Sequence, residues 1–297
     1  MKNKIYNWKD TLSAYGFLSP WFIGLILFTG GPIIASIILS FTNWNLLGSP
    51  EFIGFDNYKA LFAEGSDFLN SLKVTFIFTI INVGVSVIAS LLLAVLLNFK
   101  VRFMGVFQFC YFIPAVMPSV IIAFVFKLML NKEIGVVNYI LSLIGVDSPP
   151  NWLNDTFWIW PTIAIVSIFT YSTGQMMLIF SSALKDVPKE LYEACDVDGA
   201  NFFQRFLYVT IPSISPIILF NTVVATVNSF NSSFSLIFPL TNGGPGSETE
   251  VLSLSIYKHA FKLFDMGYAS TLAVILFIIV AAIAAIQFRL SKNSVHY

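Results

Sequence analysis

The sequence predicts an all-α membrane protein with six transmembrane helices, on three observations. Hydrophobic residues make up 57% of the chain and charged residues only 11%, with a mean hydropathy of +0.80, more apolar than a soluble chain of 297 residues needs. Six segments, roughly 14–41, 71–98, 105–130, 157–183, 211–238 and 268–290, are long enough to cross the hydrocarbon, which takes about 20 mostly apolar residues. Lys and Arg are unevenly placed between them. With the N-terminus inside, ten of the sixteen (Lys2, Lys4, Lys9, Lys100, Arg102, Lys185, Lys189, Arg205, Arg289 and Lys292) fall on the cytoplasmic side, the bias that sets orientation. The resulting organisation is a cytoplasmic segment 1–13, a membrane domain 14–290 with a cytoplasmic loop 185–210, and a cytoplasmic tail 291–297.

The first span has an apolar run too long for a removed signal peptide, and no small-residue cleavage site follows it, so it is expected to be retained. In the second, Lys73 lies near the outer end, where it can snorkel, and the isolated Asn82 reads as an interhelical hydrogen bonder. The third carries another isolated amide, Gln108, with Lys127 near its outer end. Its Pro114 and Pro118 each remove a backbone donor and are expected to kink the helix rather than gate it. The fourth begins among Trp152, Trp158 and Trp160, which with Trp44 fall near the expected outer boundary as an aromatic belt. Loop 185–210 should hold a short helix over 188–198, with Asp186 as cap, Pro188 at the first helical position and Gly199 ending it. A second helix should start from Asn201. So short a helix is marginal in water by itself, so something must pack against it. The fifth span opens on Pro212 and Pro216, read as kinking or starting helices, and the sixth closes the domain.

Several chemistries are excluded. Cys110 and Cys195 are the only cysteines, and their expected positions, within the third span and in the reducing cytoplasm, make a disulfide between them improbable. With His259 and His296 the only histidines, no metal cluster can be built from His and Cys. There is no catalytic set, and the phosphate-binding Gly-x-x-x-x-Gly-Lys-Ser/Thr motif is missing. Zero net charge gives no reason to expect nucleic acid. The span interiors hold no Asp, Glu, Arg or His, whereas a proton-coupled carrier keeps such a group in the membrane at a cost of about 2.5–3.5 kcal/mol. Sodium coupling through carbonyls and hydroxyls stays open, so the alternative is an ion-coupled secondary carrier for a small neutral solute.

The stretch Tyr192-Glu-Ala-Cys-Asp-Val-Asp-Gly-Ala200, followed by Val209-Thr-Ile-Pro212, resembles the cytoplasmic-loop signature of binding-protein-dependent ATP-binding cassette importer permeases: Glu-Ala-Ala, three residues, Gly, nine residues, Ile-x-Leu-Pro. Glu193, Ala194 and Gly199 match. Cys195 stands for the second Ala, a small-for-small change, and Val209-Thr-Ile-Pro212 stands for Ile-x-Leu-Pro. The resemblance implies the type I importer permease fold and makes the loop a coupling helix seated in a cleft of an ATPase subunit. It assigns that coupling to Tyr192, Glu193, Ala194, Cys195, Asp198, Gly199 and Ala200. The small residues would permit close approach, and Glu193 would meet a basic residue of the ATPase.

Further stretches, Ala14-Tyr-Gly-Phe-Leu-Ser-Pro-Trp21, Phe52-Ile-Gly-Phe-Asp-Asn-Tyr58, Leu240-Thr-Asn-Gly-Gly-Pro-Gly246, Thr249-Glu-Val-Leu252 and Ile256-Tyr257, resemble the maltose-type first permease subunit of carbohydrate and glycerol-phosphate importers over essentially the whole chain. The implied partners are a second, homologous permease forming a heterodimer, two cytoplasmic ATPases carrying the ATP and Mg, an extracytoplasmic sugar-binding protein and membrane lipid. No cofactor is expected on this chain, and the implied setting is a bacterial plasma membrane. By the same likeness, the Gly243-Gly-Pro-Gly246 loop faces the path and the docked binding protein; its plain reading is a turn.

A sugar path needs neutral hydrogen-bonding groups. The fifth span carries Asn221, Asn228, Ser229, Asn231, Ser232 and Ser233, which in lipid must face protein or water. Ala225, Ser229 and Ser232 share one helix face, and Asn228, Asn231 and Ser235 form an adjacent stripe. Position by position, the resemblance makes Asn228, Ser229, Asn231 and Ser232 path residues, together with Tyr171, Ser172 and Gln175 of the fourth span. The competing role for each is interhelical hydrogen bonding.

Overall fold

The computed structural model describes residues 8–98 and 104–294. Lys2, Lys4, Lys100, Arg102, His296 and most of the expected N-terminal segment lie outside the described residues, as do the side chains of Lys9 and Lys292. The chain runs as α1 (Trp8–Leu25), a π turn (Ile26–Gly30), α2 (Gly31–Leu39), β1 (Thr42–Asn43), β2 (Glu51–Phe52), α3 (Asp56–Ala60), α4 (Phe68–Asn98), α5 (Met104–Val116), α6 (Ser119–Met129), α7 (Val136–Leu143) and α8 (Ile159–Ile168). It continues as α9 (Tyr171–Lys185), α10 (Lys189–Val197), α11 (Phe202–Arg205), a second π turn (Phe206–Thr210), α12 (Ile211–Ser213), α13 (Ser215–Leu240), α14 (Leu252–Phe261) and α15 (Met266–Ser294).

Four stretches among the described residues are helical, long and apolar enough to cross a bilayer: Leu12–Leu39, Phe68–Asn98, Ser215–Leu240 and Met266–Arg289. Two bent pairs pass together, which raises the number to six if each is one span. The expected third and fourth spans are these pairs, so neither is a single helix. Gly105–Val116 and Ser119–Met129 meet at 100°. Pro118 causes that break: it has no N–H to donate, and its extended backbone (φ −55, ψ 136) starts a new helix in another direction. Pro114 sits inside α5 without ending it. Ile159–Ile168 and Ser172–Lys185 meet at 50° with no proline between them. There Thr170 is extended (ψ 161), and the Thr170 and Thr173 hydroxyls both donate to the Ser167 carbonyl, at 2.7 and 3.1 Å.

Both π turns stand directly before an X-Pro pair, Gly31-Pro32 and Ile211-Pro212. In each, the residue before proline donates its N–H five residues back, Gly31 to Ile26 and Ile211 to Phe206. The missing proline N–H and its ring, which crowds the preceding turn, explain the widening. The proline of the Val-Thr-Ile-Pro motif therefore shapes the local helix.

The fold divides into two compact units, 1–64 with 256–275 and 65–255 with 276–297. In the first, β1 pairs with β2 antiparallel, Thr42 opposite Phe52. Buried Asn57 donates to the Ser40 and Thr42 carbonyls at 3.0 and 2.9 Å, and the Thr271 hydroxyl also donates to Ser40 O at 3.0 Å. Gly267 is required there, because a Cβ would lie 1.9 Å from the Thr42 carbonyl oxygen. In the second unit α4 packs on α9, α13 and α8, while α13 also packs on α6 and α5 on α9. Its core joins Ala94 and Leu97 of α4 with Met176, Met177, Phe180 and Leu184 of α9.

Candidate functional site

The loop after α9 is built by local signals. Pro188 keeps its fixed φ but takes an extended ψ of 133, so it is the N-cap residue and Lys189 opens α10. This corrects the expected placement of Pro188 inside the helix. Asp186 is not the cap either: it closes α9 in helical conformation (φ −83, ψ −9), too early to reach the first free N–H groups of α10. Gly199 ends the helix as expected, at φ +72, where a side chain is strained. The Ala200 N–H then donates back to the Cys195 carbonyl at 3.0 Å, satisfying an orphan acceptor. Asn201 caps α11 in a reciprocal box with Gln204, its Oδ1 accepting from the Gln204 N–H at 2.9 Å and its own N–H donating to Gln204 Oε1 at 2.8 Å.

Among the residues assigned to coupling, Glu193, Ala194, Asp198 and Gly199 are exposed, and Tyr192, Cys195 and Ala200 are half-buried. α10 buries none of its residues, and Val197 at its end is 88% exposed. What packs against it within the chain comes through Tyr192, which touches the α4–α9 core. The Tyr192 hydroxyl meets the Thr210 hydroxyl at 3.1 Å. Arg205 donates to the Asp196 carboxylate at 2.7 Å, with its guanidinium carbon 5.0 Å from the centre of the Tyr192 ring.

The residues assigned to the path are less uniform. Tyr171 opens α9, and its side chain lies outside the described residues; Ser172 and Gln175 are half-buried. On α13, Ala225 and Ser229 are buried, at 3% and 1% exposure, so two residues of the first stripe face packed helix. Ser232 and Asn228 are half-buried and Asn231 is exposed. The Asn228, Asn231, Ser235 stripe is thus the more accessible one. A cavity of 440 Å³ between α4, α5, α8 and α9 is lined by Tyr111, Thr170 and Thr173 among apolar side chains, and none of the expected path residues with a described side chain lines it.

Three features went unread in the sequence. α4 buries Ser71, Thr75, Thr79, Asn82, Ser86 and Ser90, a spacing of four, four, three, four and four that makes one polar seam. Asn82 is structural as expected, donating to the Ser167 hydroxyl at 2.9 Å, and Thr75 accepts the Leu252 N–H at 2.7 Å. The hydroxyl periodicity was visible in the sequence, but not which way it faced. Lys127, expected only to snorkel, donates to the Pro239 carbonyl at 3.1 Å. The Leu240–Gly246 turn is tied by Thr249, whose hydroxyl contacts that of Thr241 at 2.7 Å and donates to the Gly244 carbonyl at 2.7 Å.

Comparison with known proteins identifies what such a loop belongs to. Residues 86–293, which include the whole loop and α13, match the family model of the binding-protein-dependent transport system inner membrane component. The chain belongs to this family. It is therefore a transport subunit of a membrane, not an enzyme. The permease is 37% identical over 292 residues to the probable ABC transporter permease protein YesP of Bacillus subtilis, covering 97% of this chain and 93% of that one. It is 30% identical over 293 residues to the arabinooligosaccharides transport system permease protein AraP of the same organism, covering 96% and 92%. A chain of the bacterial alginate ABC transporter, solved with an alginate pentasaccharide-bound periplasmic protein, superposes with a TM-score of 0.83 at 24% identity over 96% of each chain. That likeness shows the type I importer permease fold.

Proposed function

We propose that this permease is the translocating subunit of an ATP-driven importer that takes a sugar, an oligosaccharide in our reading, from an extracytoplasmic binding protein into the cytoplasm. The observation that carries the proposal is α10: a short helix that buries none of its residues, carries exposed Glu193 and ends in a left-handed glycine. An isolated helix of this length is marginal in water, so it is expected to complete its packing against another chain. AraP, by its name, serves arabinooligosaccharides, which supports the substrate class.

In this reading each bent pair is one span, giving six. The N- and C-termini, segments 1–13 and 291–297 and the loop 185–210 lie in the cytoplasm, around a membrane domain 14–290. A second homologous permease completes a heterodimer, and two ATPases carry ATP and Mg. Tyr192, Glu193, Ala194, Cys195, Asp198, Gly199 and Ala200 form the ATPase contact. Tyr171, Ser172, Gln175, Asn228, Ser229, Asn231 and Ser232 supply the path, with Asn231 exposed and Ser172, Gln175, Asn228 and Ser232 half-buried, and Ser229 able to reach it only if α13 turns. ATP binding closes the ATPase pair, draws α10 with it and shifts the cavity from inward- to outward-facing. Hydrolysis resets it. The shift is driven only by the difference in ATPase contacts between the two states.

The test is to purify the permease from its native membranes, wild type beside Glu193→Ala, and identify what accompanies it. Wild type is expected to bring a second permease, an ATPase and a sugar-binding protein, with less ATPase retained by the variant. A chain that purifies by itself and transports in liposomes on an ion gradient would overturn the proposal.

A further inference from the structure

Resting on the coupling reading of α10, we propose that Arg205 is a positioning residue that locks the two limbs of the cytoplasmic loop into one lever, so that α10 and α13 move together. One limb is α10; the other is α11, the second π turn and α12, which lead into α13. The direct link between them is the Asp198–Asn201 turn, where Gly199 sits at φ +72 with no atom within 4 Å of a built Cβ. The turn is closed by the backbone bond from the Ala200 N–H to the Cys195 carbonyl with nothing packed on its glycine, and it is the hinge between the limbs. A load applied to α10 would fold the hinge before it moved α13, unless something crosses between the limbs.

Arg205 makes that crossing. Asp196 and Tyr192 stand four residues apart on α10 and so share a face. Arg205 engages both, donating to the Asp196 carboxylate at 2.7 Å and lying over the Tyr192 ring at 5.0 Å. A second strut, Tyr192 hydroxyl to Thr210 hydroxyl at 3.1 Å, reaches the end of the π turn. Between the braced loop and the ends of α4 and α9 lies a cavity of 210 Å³, lined by Asn98 and Leu184 as well as by Tyr192 and Arg205. A planar guanidinium can hold a carboxylate and stack on a ring at once, which an ammonium cannot.

The pair is 35% and 60% exposed, and exposed ion pairs add little to stability, so the effect belongs in coupling rather than folding. The experiment uses the native complex with Cys110 and Cys195 kept, labelling being read site by site by mass spectrometry. A reporter cysteine at Asn231→Cys is labelled with N-ethylmaleimide, with and without ATP and vanadate. Arg205→Ala should reduce the nucleotide-driven change in labelling about fivefold or more, while vanadate trapping on the ATPases and the elution profile stay as in wild type. Arg205→Lys should fall between. Asp196→Ala should act like Arg205→Ala, and the double variant should be no worse than either, as expected for two halves of one contact. An unchanged response in Arg205→Ala, or additive losses in the double variant, overturns the brace. Gly199→Leu separates the two failures. If it abolishes the response while Arg205→Ala does not, only the brace falls; if neither alters it, the coupling role of α10 falls too.

Discussion

Gly174 lets α9 come close to α5, and replacing it with alanine is a sharp test of the packing. A Cβ built there lies 2.1 Å from the Cβ of Ala115 and 3.8 Å from a Phe112 ring carbon. Ordinary carbon contacts lie at about 3.5–4.0 Å, so α5 and α9 must part by about 1.5 Å. Ala115 is 2% exposed and has no rotamer to turn away. Overpacking of this kind costs about 1–3 kcal/mol, equivalent to roughly a 5- to 150-fold shift in an equilibrium. Gly174→Ala should therefore shorten the half-life of folded protein on heating in detergent, read by size-exclusion chromatography. Adding Ala115→Gly returns the missing space by exchanging which helix carries the methyl group. It leaves one glycine and one alanine at the crossing, so the propensity terms nearly cancel. The double variant should recover to near wild type. A Gly174→Ala protein as durable as wild type, or a double variant no better than the single, would refute the interhelical contact as the reason for this glycine. Because Gly174 lies between Ser172 and Gln175, the same pair also tests whether spreading α5 from α9 disturbs uptake.

Asn82→Ala should destabilise modestly, by about 0.6 to 1.7 kcal/mol, through loss of the 2.9 Å bond to Ser167; Ser167→Ala should cost a similar amount, and the two losses should fail to add in a denaturation series. Asn201→Ala removes the side-chain half of the α11 box, the bond from the Gln204 N–H to Asn201 Oδ1, and should cost about 1 kcal/mol of local helix stability, read as faster amide exchange over 202–206 with the midpoint of global unfolding unchanged.

Much of the candidate site was legible because its signals are local. Gly199 ends a helix wherever it stands at positive φ, and Asn201 with Gln204 three residues on caps one by contacts inside a single turn. The same locality misled at Asp186 and Pro188. A fixed φ suits both the first helical position and the cap, and only the ψ of 133 distinguishes them. The break at Phe169–Thr170 carries no glycine or proline, so nothing in the apolar run over 157–183 betrays it. Pro118 did announce a kink, yet its 100° size depends on the helices that receive α5 and α6. Ser229 and Asn228 are neighbours of similar polarity, and their spacing defined two stripes without saying which would be covered.

The sequence by itself determined that this chain lives in a membrane, where helical spans can lie, that it has no motif of its own for ATP, and that its loop carries the importer signature. Those conclusions follow from apolar length, charge placement and residue spacing, quantities that sum along the chain and need no partner. Tertiary structure decided which spans break, that the α4 hydroxyl seam faces inward, that Asn57 joins two backbone carbonyls, and that Arg205 bridges the limbs of the loop. The Asn57 bonds and those of the α4 seam to Ser167 and Leu252 depend on groups distant in sequence arriving within about 3 Å of a buried donor or acceptor. In a bilayer such meetings are decided by which helix surfaces fit together, because lipid gives apolar faces no reason to prefer one another.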